Sequence, residues 1–511
     1  MKVGTLIRRA AQRYRHLPAL IMEDRTFSFL ELDERSNRLA NALLGIGLKP
    51  GDRVAVLFSN QPESVEVYFA LAKAGLIRTP LNYRETTEDH VYKINDSGSI
   101  ALLFGKGFSD EVFSIQEALS EMKVIIGPER VGPFVRDYES ILAQASSTAP
   151  PEPTSSFYRL GYTGGTTGRP KGVMLSHENE FSQINSFLME LLPVKQGDIM
   201  LHSAPIAHGS GAFVLPHFLR GATNLILPKF DPERFSHMVE KERVTTTFLV
   251  PTMIGSLLES QLEKYDLSSL KSVVYSAAPM PVERLKEAIT RMGPIFAQTY
   301  GQTEAPIAIT RLLKEEHSMA YEGRLSSAGR EYLYMQVSIV DENGNHLPPG
   351  EIGEVIARGP QVMLGYWQRP EETAKTIRNG WLHTGDMGYL DNEGYLFLVD
   401  RMKDLIISGG YNIYPREVEE VLYQHPAILE AAVIGVPHEK WGESVKAVVV
   451  TRPSHSLSEK EIIHYCKQKI AHFKCPKSVD FISTLPKSAV GKILRREIRS
   501  PYWQEKENKL V

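Results

Sequence analysis

The strongest constraint on the fold is an alternation of short apolar runs and amphipathic segments in the first part of the chain. The run RVAVLFSN at 53–60 predicts a buried strand, and Pro62 is suited to begin a helix that extends to Ala74. A strand, a helix and another strand follow in IRTPLN, TTEDHVYKIND and SIALLFG. Parallel strands need crossovers, usually helical, that cover both faces of the sheet. The alternation therefore predicts doubly wound, mostly parallel sheets of the α/β class.

The alternation returns between residues 161 and 310, where NLILP, TTTFLVP and SVVYSAA predict strands and PVERLKEAITRM predicts a helix. The Pro- and Ser-rich stretch 146–156 predicts a loop or a junction. Further along, a period of two around DENG predicts antiparallel hairpins. Helix and strand patterns near the C-terminus suffice for a separate α+β domain. We therefore expect an N-terminal domain over 1–402, with an antiparallel β subdomain, and a small C-terminal domain over 403–511.

Charge and composition exclude several classes of function. Lys and Arg number 58 against 61 Asp and Glu, a net charge of −3, so no global basic field points to nucleic acid. No apolar run approaches the about 20 residues that a membrane helix needs. Two cysteines in 511 residues fit a reducing compartment. The Arg-rich N-terminus is compatible with a transit peptide, but Leu6, Ala10 and Tyr14 favour one side of an amphipathic first helix. We therefore expect a cytoplasmic protein.

The segment GYTGGTTGRPKG at 161–172 has the composition of a phosphate-binding loop. Glycines let backbone amides approach an anion, threonine hydroxyls donate hydrogen bonds, and a lysine adds charge. The spacing differs from that of the P-loop, because two residues separate Gly168 from Lys171 and because Gly172 stands where a magnesium-binding hydroxyl is expected. The loop alone is weak evidence, since Gly-Thr runs also form ordinary turns.

Two further clusters combine residue types that suit a nucleotide. In QTYGQTEAP, Tyr300 can stack on a base, Thr303 can donate to a phosphate and Glu304 can bind a divalent cation. In NGWLHTGDMG, Asp386 can accept hydrogen bonds from the hydroxyls of a ribose. Taken alone, each cluster is as well explained by a strand end and a turn.

Two segments near the C-terminus combine cations and glycines. DRMKDLIISGGYNIYPREVEE places Arg401 and Lys403 shortly before the pair Gly409 and Gly410, which a plain charged connector would not need. LPKSAVGKILRREI places Lys492 directly after a glycine. A lysine near the chain end is usually a solvated surface charge, so Lys492 gains weight only through its association with the other segments.

The segments YTGGTTGRPKG, YGQTE, GWLHTGD, RMKDLIISGGYNIYP and PKSAVGKILR occur in this order between residues 162 and 495. Together they resemble the AMP-forming adenylating enzymes: acyl-CoA synthetases, adenylation domains of peptide synthetases, and firefly luciferase. One such motif is weak, whereas five in order over most of a chain are specific. The resemblance implies that a carboxylate attacks the α-phosphorus of ATP, with release of pyrophosphate, and that a thiol then displaces AMP from the acyl adenylate. ATP, Mg2+ and CoA are the implied cofactors.

The resemblance also implies a role for each matched residue. The β and γ phosphates would be held by the glycine-rich loop, adenine by two small segments, and the ribose by an Asp and an Arg. The α-phosphate would be contacted by Thr303, and Mg2+ would be bound by Glu304 with Thr167. The residues for the β and γ phosphates are Thr163, Gly164, Gly165, Thr166, Thr167, Gly168 and Lys171. Those for adenine are Ala277, Ala278, Pro279, Tyr300 and Gly301, and those for the ribose are Asp386 and Arg401.

The small domain is expected to be mobile in such an enzyme. Lys492 would bridge the acyl carboxylate and the α-phosphate, where its charge offsets the repulsion between the two anions. Lys403 would lie at the hinge, and rotation about it would withdraw Lys492 and bring the segment Gly409, Gly410 and Tyr411 to the site. His208, in PIAHGSG, matches a segment near the acyl pocket and would gate the pantetheine channel, although a core or surface histidine is an alternative.

Acyl specificity is the least determined property. The pocket segments are small and apolar, with no cation evident for a second substrate carboxylate. A medium- to long-chain fatty acid is therefore favoured, with an aryl acid next. A carrier protein or an amine could replace CoA as the acceptor. An inactive nucleotide-binding regulator is a further alternative for the whole protein, but the presence of the matched catalytic and nucleotide-binding residues disfavours it. The sequence leaves a homodimer open. The pocket residues are Gly209, Gly211, Ala212, Ala277, Ala278, Ala305 and Ile307.

Overall fold

The computed structural model describes residues 2–128, 135–163, 169–453, 455–488 and 491–507 of the chain. The helices of this part are α1 (Val3–Tyr14), α2 (Phe29–Gly45), α3 (Pro62–Ala74), α4 (Thr87–Ser97), α5 (Ser109–Ile115), α6 (Tyr138–Gln144), α7 (His177–Ser186), α8 (Val214–Leu219), α9 (Pro232–Glu242), α10 (Pro251–Leu258), α11 (Val282–Met292), α12 (Glu322–Leu325), α13 (Pro370–Thr376), α14 (Pro415–Tyr423), α15 (Glu459–Lys467) and α16 (Arg495–Glu507).

The strands before residue 320 are β1 (Pro18–Met22), β2 (Arg25–Ser28), β3 (Arg53–Phe58), β4 (Ile77–Asn82), β5 (Ala101–Phe104), β6 (Val124–Gly127), β7 (Val135–Asp137), β8 (Phe157–Tyr162), β9 (Gly172–Ser176), β10 (Ile199–His202), β11 (Thr223–Ile226), β12 (Thr246–Leu249), β13 (Ser272–Tyr275), β14 (Phe296–Gln302) and β15 (Ala305–Leu312). The later strands are β16 (Arg330–Glu331), β17 (Gln336–Val340), β18 (Gly353–Arg358), β19 (Gly365–Tyr366), β20 (Ile377–Arg378), β21 (Trp381–Leu390), β22 (Leu396–Arg401), β23 (Ile406–Ser408), β24 (Tyr411–Ile413), β25 (Ile428–His438), β26 (Gly442–Thr451) and β27 (Ser478–Phe481).

Two large sheets form most of the molecule. One has eight strands in the order β19-β9-β8-β4-β3-β5-β6-β7, and the other has nine in the order β16-β15-β14-β13-β12-β10-β11-β1-β2. The strands from β8 to β7 and from β14 to β1 are parallel, while antiparallel strands complete one end of the eight-stranded sheet and both ends of the nine-stranded sheet. This confirms the predicted mostly parallel α/β architecture. The carboxyl ends of β8 and β14 lead directly into the glycine-rich loop and the YGQTE segment.

The predicted change of architecture after the parallel sheets is also confirmed. A third sheet, β17-β18-β21-β20 with β22 beside β21, is antiparallel throughout. A fourth sheet, β24-β23-β26-β25 with β27 beside β26, lies beyond it in the chain and packs with α14, α15 and α16. A large N-terminal part and a small C-terminal α+β part are thus both present.

The predicted first helix forms, and its buried side is wider than the predicted one. Of the predicted residues, Ala10 is buried and Tyr14 packs against the same core, while Leu6 is only half-buried; Val3 and Ile7 are buried as well. The helix packs against α2, α3 and α8 at once, so its buried surface is wider than one stripe. Among the described residues, no helix combines the length and the apolar character needed to cross a membrane.

Polar contacts connect the C-terminal sheet to the nine-stranded sheet and its helices. Arg452 forms an ion pair with Glu259, with 2.5 Å between Nη1 and Oε1, and the backbone amide of Val282 donates to Glu420. The Arg284 guanidinium reaches both Glu259 and the carbonyl of Leu429. These contacts between the C-terminal part and the rest of the molecule are polar.

Candidate active site

A buried carboxylate, Asp386, is the centre of the candidate site. The phenol of Tyr300 donates to its Oδ2 at 2.6 Å, and the amide of Gln302 donates to the same oxygen at 2.8 Å. Arg401 lies opposite Asp386 in the β21–β22 ladder and places its Nε 3.2 Å from Oδ1. Burial, and then the Asp386 charge, raise the pKa of Tyr300 well above its usual value, so the phenol stays a donor.

Lys492 is brought to the same place from the C-terminal part of the chain. A cavity of about 260 Å³ is lined by Arg401, Lys403 and Lys492. Burial, and then repulsion from Arg401, lower the pKa of Lys492 to about 8. Gly491, at a φ of +81°, precedes it, and a Cβ there would lie 2.9 Å from the hydroxyl of Thr252. The turn that carries Lys492 therefore packs directly against Thr252, in the part of the molecule built around the nine-stranded sheet.

A second carboxylate, Glu304, lies near the ends of the glycine-rich loop. Tyr366 donates its phenol to Glu304 Oε1 at 2.7 Å, and the Lys171 ammonium lies 4.9 Å from the centre of the Tyr366 ring. Lys171 forms an ion pair with Glu372, and this contact lowers the pKa of Glu372. The pairing keeps the lysine at the loop end and supplies a counter-charge that a polyphosphate could displace.

The two ends of the loop are closed by hydrogen bonds. The backbone amide of Thr163 donates to the carbonyl of Lys171 at 3.1 Å, and the amide of Lys171 donates to the Thr163 hydroxyl at 3.0 Å. The predicted phosphate ligands Gly164, Gly165, Thr166, Thr167 and Gly168 lie outside the described residues.

The segments predicted to hold adenine and the acyl group contain strained backbone. Ala277 has a φ of +75° and Ile307 a φ of +50°, both unusual for residues with a Cβ and the second more so for a β-branched one. Gly301 is required by packing, since a Cβ there would lie 2.5 Å from the amide nitrogen of Ile307. Ala277 and Pro279 are exposed and Ala278 is half-exposed. These residues can therefore border a ligand.

Thr303 lies close to the start of the glycine-rich loop. A Cβ on Gly161 would approach the Thr303 methyl group to 3.5 Å. Thr303 and Glu304 are both half-exposed, so their polar atoms are accessible. The structure thus brings the YGQTE segment, Asp386, Arg401 and Lys492 together beside the loop ends.

Three predicted residues lie apart from this group. Gly409, Gly410 and Tyr411 form the turn between β23 and β24, where Gly409 and Gly410 have φ values of +58° and +85°. The Tyr411 side chain is 59% exposed and its ring lies 4.7 Å from that of Phe473. Within the part of the chain that the structure describes, no hydrogen bond or ring contact joins Tyr411 to Asp386.

Lys403 follows β22 in a single 3-10 turn, Met402–Asp404, where burial lowers its pKa.

His208 precedes a 3-10 turn, Gly209–Phe213, and its side chain is accessible although protein surrounds it. Desolvation by this surrounding protein, and then repulsion from Arg159 and Lys93, lower the pKa of His208 to about 4. Arg159 and Lys93 belong to other segments than the small apolar ones predicted to form the acyl pocket, so the absence of a cation in those segments stays a prediction.

The floor beside His208 is aromatic. A Cβ on Gly209 would contact the Phe248 ring at 3.0 Å, and Phe248 stacks on Phe213 with 5.2 Å between the ring centres. Phe213 stacks in turn on Phe187 at 5.0 Å. This stack was not predicted, because its rings come from three separate segments.

Gln302 and Tyr366 are two further residues of the site that sequence reasoning missed. Gln302 lies inside the YGQTE motif and could have been selected by that position. Tyr366 lies in β19, far from every motif used, and no local signal marks it. No group of three His, Cys, Asp or Glu side chains with metal-site geometry occurs among the described residues, Glu304 included.

The profile of the AMP-binding enzyme family matches residues 7–367, and that of the AMP-binding enzyme C-terminal domain matches residues 417–492. The chain belongs to the AMP-binding enzyme family. It is 35% identical to the medium/long-chain-fatty-acid–CoA ligase FadD8 of Mycobacterium tuberculosis, over 98% of this chain and 90% of the relative. It is 37% identical to a feruloyl-CoA synthase of Amycolatopsis, over 96% and 97% of the two chains.

A solved structure of this family, the amide bond synthetase McbA from Marinactinospora thermotolerans, superposes with a TM-score of 0.90. The two chains are 29% identical, and the match covers 98% of this chain and 99% of McbA. The curated relatives identify the chain as an AMP-forming acid–CoA ligase of the family, while their acids differ.

Replacing Gln302 by Leu should raise the KM for ATP about tenfold and change kcat by less than about threefold, because the variant loses one donor to the Asp386 carboxylate. The measurement is ATP-dependent pyrophosphate release at saturating acid. Gln12→Leu, at an exposed position of α1, is the matched control and should leave both constants unchanged. A lower kcat with an unchanged KM for ATP would contradict a role of the Asp386 cluster in nucleotide binding.

Proposed function

We propose that this protein is an AMP-forming acyl-CoA synthetase in which Lys492 joins the acyl carboxylate to ATP and CoA then accepts the acyl group. The observation that carries the proposal is the approach of Lys492, from the C-terminal part, to the Asp386–Arg401 pair beside one cavity. An ammonium at this point lowers the repulsion between a carboxylate and the α-phosphate, which is the main barrier to bringing the two anions together. The carboxylate is already ionised at neutral pH, so attack needs no general base.

ATP binding is assigned to the residues around Asp386 and the loop. Asp386 accepts from the ribose hydroxyls, held in place by Tyr300, Gln302 and Arg401. Thr303 contacts the α-phosphate. The adenine lies against Ala277, Ala278, Pro279 and Gly301, and the β and γ phosphates lie against Thr163, Lys171 and the loop between them. Lys171 exchanges its Glu372 partner for the phosphates in this scheme.

Mg2+ is assigned to Glu304, with the Thr167 hydroxyl and phosphate oxygens. One Glu304 oxygen accepts from Tyr366, and the other accepts no hydrogen bond from the described residues, so it suits a cation. A single carboxylate with substrate phosphates is the usual protein contribution to a magnesium–nucleotide site. When bound, the ion neutralises charge on the polyphosphate during displacement.

Domain alternation is part of the proposal. The boundary is placed at 402/403, with Lys403 at the hinge, and rotation there exchanges the Lys492 turn for the turn of Gly409, Gly410 and Tyr411. The exposure of Tyr411 and the polar character of the contacts between the two parts support this motion.

A cytoplasmic location is also proposed, since Cys466 and Cys475 are buried, free thiols. The oligomeric state stays a prediction.

The acid is proposed to be a medium- to long-chain fatty acid, in line with the similarity to FadD8. An aryl acid is the second candidate because of the similarity to feruloyl-CoA synthase. CoA is the proposed acceptor; an amine, suggested by the likeness to McbA, and a carrier protein are the alternatives. His208 is proposed to gate the channel to the acceptor.

Replacing Lys492 by Ala should lower acid-dependent pyrophosphate release about a thousandfold, because the charge that neutralises the two reacting anions is lost. CoA-dependent release of AMP from a supplied acyl adenylate should stay within about threefold of the wild-type rate, since that step does not join two anions. Lys487→Ala, five residues away in the same segment, is the control. Equal losses in both half-reactions would contradict separate roles for the two faces of the C-terminal part.

The pH dependence of adenylate formation should report the Lys492 ammonium. Its pKa is about 8 instead of 10.5, so the charged form is present below pH 8 and is lost as the pH rises through that value. We expect kcat/KM for the acid to be constant from pH 6.5 to 7.5 and to fall about tenfold per unit above pH 8. A constant profile up to pH 10 would contradict the assignment.

The acid and the acceptor are tested together in one panel. Wild-type protein is incubated with ATP, Mg2+ and CoA and with dodecanoate, hexadecanoate, ferulate, benzoate or dodecanedioate, and AMP and thioester are both quantified. We expect the highest kcat/KM with a monocarboxylic fatty acid and one thioester per AMP. Faster turnover of ferulate would favour the aryl alternative, and AMP without thioester would exclude CoA as the acceptor.

A further inference from the structure

Two arginines lie side by side on the sheet face that leads to the candidate site. Arg78 in β4 and Arg159 in β8 are register partners in a parallel pair, so their side chains leave the sheet on the same face. Gly161, two residues after Arg159, shares this face, and a Cβ on it would approach Thr303. The face that carries both guanidinium groups therefore continues to the YGQTE segment.

The positive charge of this pair is not neutralised within the part of the chain that the structure describes. The Nε atoms of Arg78 and Arg159 are buried and have no hydrogen-bond partner there. Arg78 is only 7% exposed, and its guanidinium carbon lies 3.7 Å from the centre of the Tyr68 ring. The nearest buried carboxylate, Glu180, accepts from the Tyr68 phenol at 2.7 Å and forms no ion pair with either arginine.

Lys93, the third cation on this side, differs from the two arginines because it has a carboxylate partner. Lys93 forms an ion pair with Glu85, with 2.5 Å between Nζ and Oε2, and lies over the Tyr162 ring. The unpaired charge that acts on His208 therefore comes from Arg159. A buried cation without a counter-charge is unfavourable, so this side of the site favours any ligand that develops negative charge there.

The candidate site consequently has two cationic sides. On one side Arg401 pairs with Asp386 and shares a cavity with Lys492, and on the other side the charges of Arg159 and Lys93 act on His208. The proposed function uses the first side for the phosphates and the acyl carboxylate. A fatty acid has no second charge, so the anion for the second side has to come from the other co-substrate, the thiol.

We propose that Arg159, supported by Arg78, stabilises the thiolate of CoA as it attacks the acyl adenylate. This inference rests on the proposed function and adds a residue to its second half-reaction. The thiol loses its proton to water, and the sulfur forms a bond to the carbonyl carbon. The bond from that carbon to the phosphate oxygen then breaks, and AMP leaves with the bonding electron pair.

A cation next to the sulfur increases the fraction of thiolate. A free thiol has a pKa of about 8.5, so only a few per cent is ionised at pH 7, and an adjacent guanidinium lowers that pKa. His208 contributes no competing positive charge, because its own pKa of about 4 keeps it neutral at pH 7. The Tyr158 phenol beside Arg159 is also neutral, since burial raises its pKa.

The test is single-turnover thiolysis of preformed dodecanoyl adenylate by CoA, followed from pH 6 to pH 9.5 in the full-length protein. Arg159→Gln should slow thiolysis about tenfold at pH 7 and raise the apparent pKa of its profile by about one unit, since one unit is a tenfold change in thiolate fraction. Arg159→Lys should restore most of the rate. Arg136→Gln, at an exposed position of β7, is the matched control. Pyrophosphate release with dodecanoate should change less than twofold in Arg159→Gln.

A thiolysis profile of Arg159→Gln with the wild-type apparent pKa would overturn the proposal, because a purely structural effect changes the rate without moving the pKa. A loss confined to adenylation of dodecanedioate, with dodecanoate unaffected, would overturn it too and would assign Arg159 to a second substrate carboxylate. Failure of the proposed function is a separate result, since wild-type protein would then form no thioester with any acid. Thermal unfolding midpoints within about 2 °C of wild type confirm that each variant is folded.

Discussion

The Asp386 carboxylate is the constraint on which the site depends. A charge that is 8% exposed must be compensated by donors, and its three donors come from two different sheets. Tyr300 and Gln302 extend from β14 of the nine-stranded sheet, whereas Arg401 lies across from Asp386 in the antiparallel sheet. Satisfying one buried carboxylate therefore fixes the distance between the parallel and the antiparallel parts of the chain. The charge of the same carboxylate also acts on the Lys492 ammonium.

In the proposed mechanism, positive charge on two sides of this centre serves two successive steps. Lys492 belongs to a turn of the C-terminal part, so the proposed rotation would withdraw its charge once the adenylate has formed. Arg159 is supplied by a strand of the eight-stranded sheet, so its charge is permanent. A removable cation suits a step that joins two anions, and a fixed cation suits a nucleophile that arrives afterwards.

Much of the fold could be predicted because the relevant signals are local. α3 begins at Pro62 and ends at Ala74 as expected, and the hairpins around DENG form as expected, since capping, turn chemistry and periodicity act within a few residues. The first helix shows the limit of this reasoning. Its predicted apolar side was too narrow because several neighbouring helices, not one, determine which side chains are buried.

The sequence by itself determined the family and most of the element order, and it predicted the residues of the nucleotide site, because each motif holds its functional groups at fixed spacing within one short segment. Only the tertiary structure decided which of them meet. It brings Lys492 to Asp386 while Tyr411 faces solvent beside Phe473, and it adds Gln302, Tyr366 and the aromatic stack to the site. It also leaves Arg159 without a counter-charge among the described residues, which no spacing could indicate, because neutralisation depends on what the fold places next to a side chain.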